Sequence, residues 1–204
     1  ATAELLERDY QTILTEADFN IWLEKLKQAR LFAFDTETTS LKYMDAEIVG
    51  VSFSIEEACA AYVPVAHDYI EAPEQLDRKW VLDQLKPILE NKDIKKVGQN
   101  LKYDKNVLFN YDIELCGIEH DTMLESYVLN STSNRHDMDT LAQVYLGRET
   151  IHFEDIAGKG AKQLTFNQIS LDVASPYAAE DADITLALHK VLHPKLQDQP
   201  ALLE

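Results

Sequence analysis

The chain has 204 residues, 46% of them hydrophobic and 27% charged, and its 36 acidic against 19 basic residues give a net charge of −17. That length supports one domain, residues 1–204, with a substantial core, and the charge argues against a module that grips nucleic acid by neutralising phosphates along a basic track. No apolar run approaches a membrane span, the N-terminus lacks a basic-then-apolar leader, and two cysteines, Cys59 and Cys116, are too few for a disulfide framework. A soluble protein of a reducing cytoplasm is expected.

In chain order, DYQTILTE reads as an edge strand. A helix over EADFNIWLEKLKQAR follows, with Ile21, Leu23, Leu26 and Ala29 at helical spacing. Three apolar runs, LFAFDTE, EIVGVSFSI and ACAAYVPV, lie close enough together for hairpin-linked antiparallel strands. Next come a helix over QLDRKWVLDQLKPILEN, with Pro87 inside it, and a short strand, KKVG. The remainder is mostly helical: NLKYDKNVLFNY, DTMLESYVLN, MDTLAQVYL, and a last helix from about Pro176 to Leu192 with Ser175 as its N-cap. His193-Pro194 is expected to end that helix, and the terminal strings ATAELLERDY and QDQPALLE read as helical or linker-like. Hairpinned strands followed by strand–helix alternation imply an α/β fold, a mixed sheet flanked by helices.

Acidic residues stand in three places where this pattern calls for apolar ones. Asp35 and Glu37 sit two apart on one side of a buried strand. Asp104 lies on the stripe Leu101, Asp104, Leu108, and Asp181 on the stripe Tyr177, Asp181, Ile184, Leu188. Any one of them alone reads as a structural hydrogen-bonding carboxylate, but three elements breaking the same rule point to function. Four ionised carboxylates cannot share a small space without counter-charge. With no Cys/His cluster of zinc spacing beside them, oxygen ligation favours two Mg²⁺ or Mn²⁺ ions, a device for in-line displacement at phosphorus. Tyr177, one turn before Asp181, is placed to orient a water rather than to deprotonate it.

The runs FDTETTSL, VGQNLKYDKNVL and YAAEDADITL resemble the three motifs of the DEDD exonucleases in the subclass carrying tyrosine before the last aspartate. The connecting strings HDTMLESYVLN, RHDMDTLA and FEDIAGKGAKQLTFNQI are similar to the 3′→5′ proofreading domain of bacterial family A DNA polymerases, and the likeness runs from about Asp9 to Leu196. The resemblance implies a ribonuclease H-like fold with a five-stranded mixed sheet, three antiparallel strands and then two parallel ones. It also implies that Asp35, Glu37 and Asp181 hold one metal, that Asp35 bridges to a second, and that Asp104 reaches the second largely through water. Zn²⁺ is also admissible at the tighter site.

By the same resemblance Leu41 and Phe153 wedge against terminal bases, Gln99 and Asn100 face the end nucleotide, and Arg135 meets a backbone phosphate. Core packing is the competing reading for Leu41 and Phe153. The implied partners are a single-stranded DNA 3′ end and the polymerase domain of the same full-length protein. A monomer in the bacterial cytoplasm, with no membrane contact, completes the expectation. The rival readings are an RNA-processing exonuclease of the ribonuclease D type and a non-catalytic scaffold that binds strand ends. His67 reads as structural, because nothing near it in sequence completes a dyad.

Overall fold

The computed structural model describes residues 7–132 and 135–202, so the extreme termini lie outside the described residues. Six strands form one sheet: β1 (Asp9–Thr12), β2 (Leu31–Thr38), β3 (Ile48–Glu56), β4 (Cys59–Pro64), β5 (Lys95–Gly98) and β6 (Ile118–Asp121), in spatial order β1-β4-β3-β2-β5-β6. β2, β3 and β4 are antiparallel neighbours, and β5 and β6 add in parallel beyond β2. The expected three-plus-two arrangement is therefore present, and the count is corrected to six because β1 pairs in parallel with the outer edge of β4.

Among the described residues, seven α-helices flank the sheet: α1 (Glu16–Gln28), α2 (Arg78–Leu89), α3 (Leu101–Phe109), α4 (Thr122–Leu129), α5 (Met138–Leu141), α6 (Phe153–Ala157) and α7 (Leu171–Gln197). Helix α1 starts at Thr15, whose hydroxyl accepts from the Asp18 amide. Its buried face is Phe19, Trp22, Leu23 and Leu26, while Ile21 points to solvent at 56% exposure, so the expected stripe was turned by part of a helical face. Helix α2 is capped by Asp77 and passes through Pro87 to Leu89. The run expected as one helix over MDTLAQVYL is α5 followed by a wider π-turn over Ala142–Leu146, which closes at Gly147 in the left-handed conformation.

Helix α7 also departs from expectation. It begins five residues earlier than Pro176 and runs through both Pro176 and Pro194. Ser175 is a buried helical residue whose hydroxyl meets that of Thr12 on β1. An interior proline costs about 3 kcal/mol, but α7 is buried along most of its length against β1 to β5, α4 and α5, which outweighs that loss. Ala174, Ala178, Ala179 and Ala182 keep its side chains small where it crosses the sheet.

The alternation of β2 divides its side chains between two layers. Phe32 and Phe34 enter the main core with α1, α2 and the apolar side of α3. Ala33 faces the other way, packing with Val97 and Leu186 of α7. Asp35 and Glu37 continue the Ala33 side and so open toward α7.

Candidate active site

Asp35 and Glu37 lie opposite Ser52 and Gly50 of β3. A Cβ at position 50 would run into the Tyr62 ring, so the glycine lets that ring lie under the carboxylates. The charges of Glu37 and Asp35 reinforce what burial does to Tyr62, holding its phenol protonated far above the usual range. Its hydroxyl meets His67 Nε2 at 2.8 Å, and His67 Nδ1 lies 2.9 Å from the Ile169 carbonyl. A carbonyl only accepts, so Nδ1 carries the proton; burial keeps the ring neutral and Tyr62 donates to Nε2. His67 is structural, as expected: it supports the floor of the site.

Asp181 of α7 comes down on this pair. Carboxylate oxygens of Asp35, Glu37 and Asp181 lie within 4.8 Å of one another, and Glu37 Oε1 is buried with no hydrogen-bond partner among the described residues. Such an oxygen is costly unless a cation or proton satisfies it. Asp104 is 2% exposed and arrives from α3 on the other layer, its Oδ1 accepting from the Thr36 amide at 3.0 Å and the Thr36 hydroxyl at 2.6 Å. Thr36 thus ties the fourth carboxylate to the strand between the first two.

Crowding shows in their acidity. Burial first, then the charges of Asp104, Glu37 and Asp181, push the Asp35 carboxyl well above the carboxylate range. Glu37 is raised by burial and by Asp181 and Asp104. Asp181 is raised by burial although the Tyr177 hydroxyl donates to it. Asp104 is pushed up to about 7 by burial, against the lowering effect of its Thr36 bonds. Four oxygen donors that repel one another and leave an oxygen orphaned fit hard divalent cations.

A prediction follows for the metal-free chain. Each of these groups has its folded pKa raised, so the fold takes up protons that the unfolded chain has released, and this stabilisation is lost as pH rises from about 4 through about 7. Saturating Mg²⁺ or Mn²⁺ removes the penalty by binding the ionised form. The increase in melting temperature on adding metal should therefore grow between about pH 5 and pH 8. Parallel melting curves with and without metal across that range would contradict the assignment.

Tyr177 packs against both Phe153 and Phe166, with ring centroids 6.1 Å and 6.0 Å away, and Phe153 stacks on Phe166. Burial, then the charges of Asp181, Glu37 and Asp35, hold its phenol protonated far above neutral pH. Phe153 thus stands at the site, half-buried in the aromatic group around Tyr177. Leu41, by contrast, is 95% exposed on the turn after β2, beside exposed Tyr43 and Met44. Core packing does not account for Leu41. Tyr103 braces that turn, its hydroxyl meeting the Ser40 carbonyl and Thr38 Oγ1.

Gln99 is committed within the protein: its Nε2 donates to the His136 carbonyl at 2.7 Å and its Oε1 accepts from the Thr122 hydroxyl. Asn100 stands exposed in the left-handed conformation at the start of α3, without a side-chain capping bond. Arg135 is 86% exposed on the surface, 3.2 Å from Asp137. The structure thus brings together the four carboxylates, Tyr177 and Phe153, and leaves Leu41, Asn100 and Arg135 on the surface.

Sequence reasoning missed several supporting residues. Thr36 anchors Asp104, and Asp121 accepts from the Asn100, Leu101, Met123 and Leu124 amides, holding two helix starts at once. Glu180 binds Arg8 and the Ile151 amide, which fixes the segment just ahead of Phe153. Only Asp121 had a local signal, an acid directly before a helical run.

A family model described as 3′-5′ exonuclease matches residues 10–197. The chain belongs to this 3′-5′ exonuclease family. Among curated relatives of this exonuclease, DNA polymerase I of Pseudomonas aeruginosa is 60% identical over 198 residues, covering 96% of this chain and 22% of that protein. DNA polymerase I of Rhizobium leguminosarum is 41% identical over 204 residues, covering 92% and 20% respectively. The chain spans about a fifth of the length of these relatives. In fold, it matches Pol1 of M. smegmatis in complex with DNA primer-template and dNTP at a TM-score of 0.71 and 17% identity, covering 94% of this chain and 28% of that one. Trypanosoma brucei RNase D in complex with RNA U12 matches at a TM-score of 0.72 and 16% identity, covering 92% and 63%. The exonuclease family makes the chain a nuclease, a hydrolase of phosphodiesters, and the acidic cluster fits the divalent metals such a nuclease uses.

Proposed function

We propose that the chain is a two-metal 3′→5′ exodeoxyribonuclease that shortens single-stranded or frayed DNA 3′ ends to mononucleoside 5′-phosphates, proofreading for a DNA polymerase I of which it is a cytoplasmic segment. The observation that carries this reading is the convergence of Asp35, Glu37 and Asp181 oxygens within 4.8 Å, with the partly buried Tyr177 one turn before Asp181 on α7. Two bound dications would offset the four carboxylates, activate water and stabilise the leaving oxygen. Asp35, Glu37 and Asp181 would hold one ion and Asp104, kept in place by Thr36, would assist at the other. Tyr177 keeps its proton, so it orients rather than acts as a base.

Leu41 supports the strand-end reading: a leucine 95% exposed on a braced turn that follows the strand carrying Asp35 and Glu37 suits contact with unstacked bases. Phe153 is proposed as a second base contact through its exposed edge, with Asn100 and Arg135 at the end nucleotide and backbone. Gln99, its amide already engaged, would contribute by holding the 136 segment. Identity of 60% to a DNA polymerase I favours DNA over RNA. The deciding assay is 5′-labelled single-stranded DNA and matching RNA, with Mg²⁺ or EDTA. Stepwise, metal-dependent shortening of DNA supports the proposal; faster cleavage of RNA would transfer it to the ribonuclease D reading.

A further expected result concerns pairing. Unpairing an end costs a few kcal/mol unless it is already mismatched, so single strands and mispaired ends should be degraded faster than matched duplex. Equal rates on all three would remove the proofreading role while leaving the exonuclease.

A further inference from the structure

The last helix carries a second group of ligating side chains, away from the carboxylates. His189 and His193, four apart on α7, face His120 of β6 and Glu125 of α4. All three imidazole Nδ1 atoms converge on one oxygen: Glu125 Oε1 lies 2.9 Å from His189, 3.2 Å from His120 and 3.6 Å from His193. The rings are packed closely, with centroids 4.0 Å apart for the tilted pair His120 and His189 and 4.5 Å for the edge-on pair His120 and His193. Glu125 is 7% exposed, and its other oxygen, Oε2, is buried with no hydrogen-bond partner among the described residues. A cluster built for hydrogen bonding alone would share three donors between two oxygens; this one crowds a single oxygen and orphans the other.

We propose that His120, Glu125, His189 and His193 form a transition-metal site that binds one Zn²⁺-like ion through three imidazole nitrogens and one carboxylate oxygen. Tetrahedral zinc with bonds of about 2.0–2.1 Å needs donor atoms about 3.3 Å apart, which the three nitrogen–oxygen separations bracket. The donor set sorts metals: imidazole suits Zn²⁺ and its late first-row neighbours, whereas the all-oxygen cluster of Asp35, Glu37 and Asp181 suits Mg²⁺ or Mn²⁺. His193 is 29% exposed and His120 19%, which leaves an approach from solvent. The ion would clamp the later half of α7 to β6 and α4. Because the earlier half of α7 carries Tyr177 and Asp181, its role is to hold that helix in register, not to take part in hydrolysis.

The test uses the metal-stripped chain carrying Asp35→Asn and Asp181→Asn, which silences the carboxylate cluster, titrated with Zn²⁺ alone and with Co²⁺ as a spectroscopic reporter. The expected result is one Zn²⁺ per chain, a raised melting temperature and the intense visible bands of tetrahedral Co²⁺. Loss of an outer partner of a metal site typically weakens binding 10–100-fold, so His193→Gln or His120→Phe should weaken Zn²⁺ binding at least about tenfold. In the otherwise unchanged chain, His193→Gln should leave Mg²⁺-dependent hydrolysis as it was. No Zn²⁺ bound by the silenced chain, octahedral Co²⁺ only, or binding indifferent to both histidine substitutions would overturn the site. The Co²⁺ spectrum of the silenced chain decides the question even if a histidine variant fails to fold. The Zn²⁺ and Co²⁺ outcomes do not depend on the exonuclease reading; only the hydrolysis comparison does.

Discussion

Asp181→Asn is expected to lower hydrolysis roughly 10³-fold or more while leaving a folded chain. A catalytic metal supplies several kcal/mol of transition-state stabilisation, and each 1.36 kcal/mol is tenfold in rate. Asn keeps the volume and an acceptor for the Tyr177 hydroxyl but gives up the charge that the ion needs. The same change removes one of the mutually repelling carboxylates, so the metal-free variant should melt at or above the parent temperature, and Mg²⁺ or Mn²⁺ should stabilise it far less. Kinetics and melting thus move in opposite directions, which loss of fold would not produce. A variant that cleaves at the parental rate would remove Asp181 from the proposed mechanism.

Tyr177→Phe should cost about 10²–10³ in turnover, the usual loss for one positioned hydrogen bond at a reacting centre. The ring stays packed against Phe153 and Phe166, so the stability of the fold should change little. The hydroxyl also donates to Asp181, and without it that carboxylate holds its proton more tightly. Metal binding should therefore weaken on the acid side and recover as pH rises, while the loss in turnover persists at every pH. Full activity in the variant would reduce Tyr177 to a packing residue.

How much of this was legible in advance follows from where the information sits. The carboxylates stood out because Asp35, Glu37, Asp104 and Asp181 interrupt strongly periodic apolar runs, and the strand–hairpin pattern of β2 to β4 is written in those same runs. Strand β6 escaped because IEHD is four residues, half of them charged, and becomes a strand only by pairing with β5. The start of α7 was misplaced because Pro176 suits a first turn locally, while burial of Leu171 and Ala174 extends the helix backwards. The engagement of Gln99 with His136 and Thr122 is a tertiary matter that no local pattern carries. The same holds for the meeting of His120 and Glu125 with α7, where only the four-residue spacing of His189 and His193 is visible in one dimension.

The division of the carboxylates among β2, α3 and α7 has a consequence for how the protein comes into being. Asp35 and Glu37 are synthesised early on a strand at the middle of the sheet, and Asp181 late, with most of the chain between them. Contacts so distant in sequence form late, after the intervening sheet has collapsed. Until α7 docks, the partial fold has Asp35 and Glu37 on an open sheet face with Asp104 tied to Thr36 behind them, and no closed oxygen cage. On the proposed function, a growing polypeptide on the ribosome would then be harmless to nucleic acid around it, and cutting ability would arrive only with α7, in the same step that brings the repelling charges together.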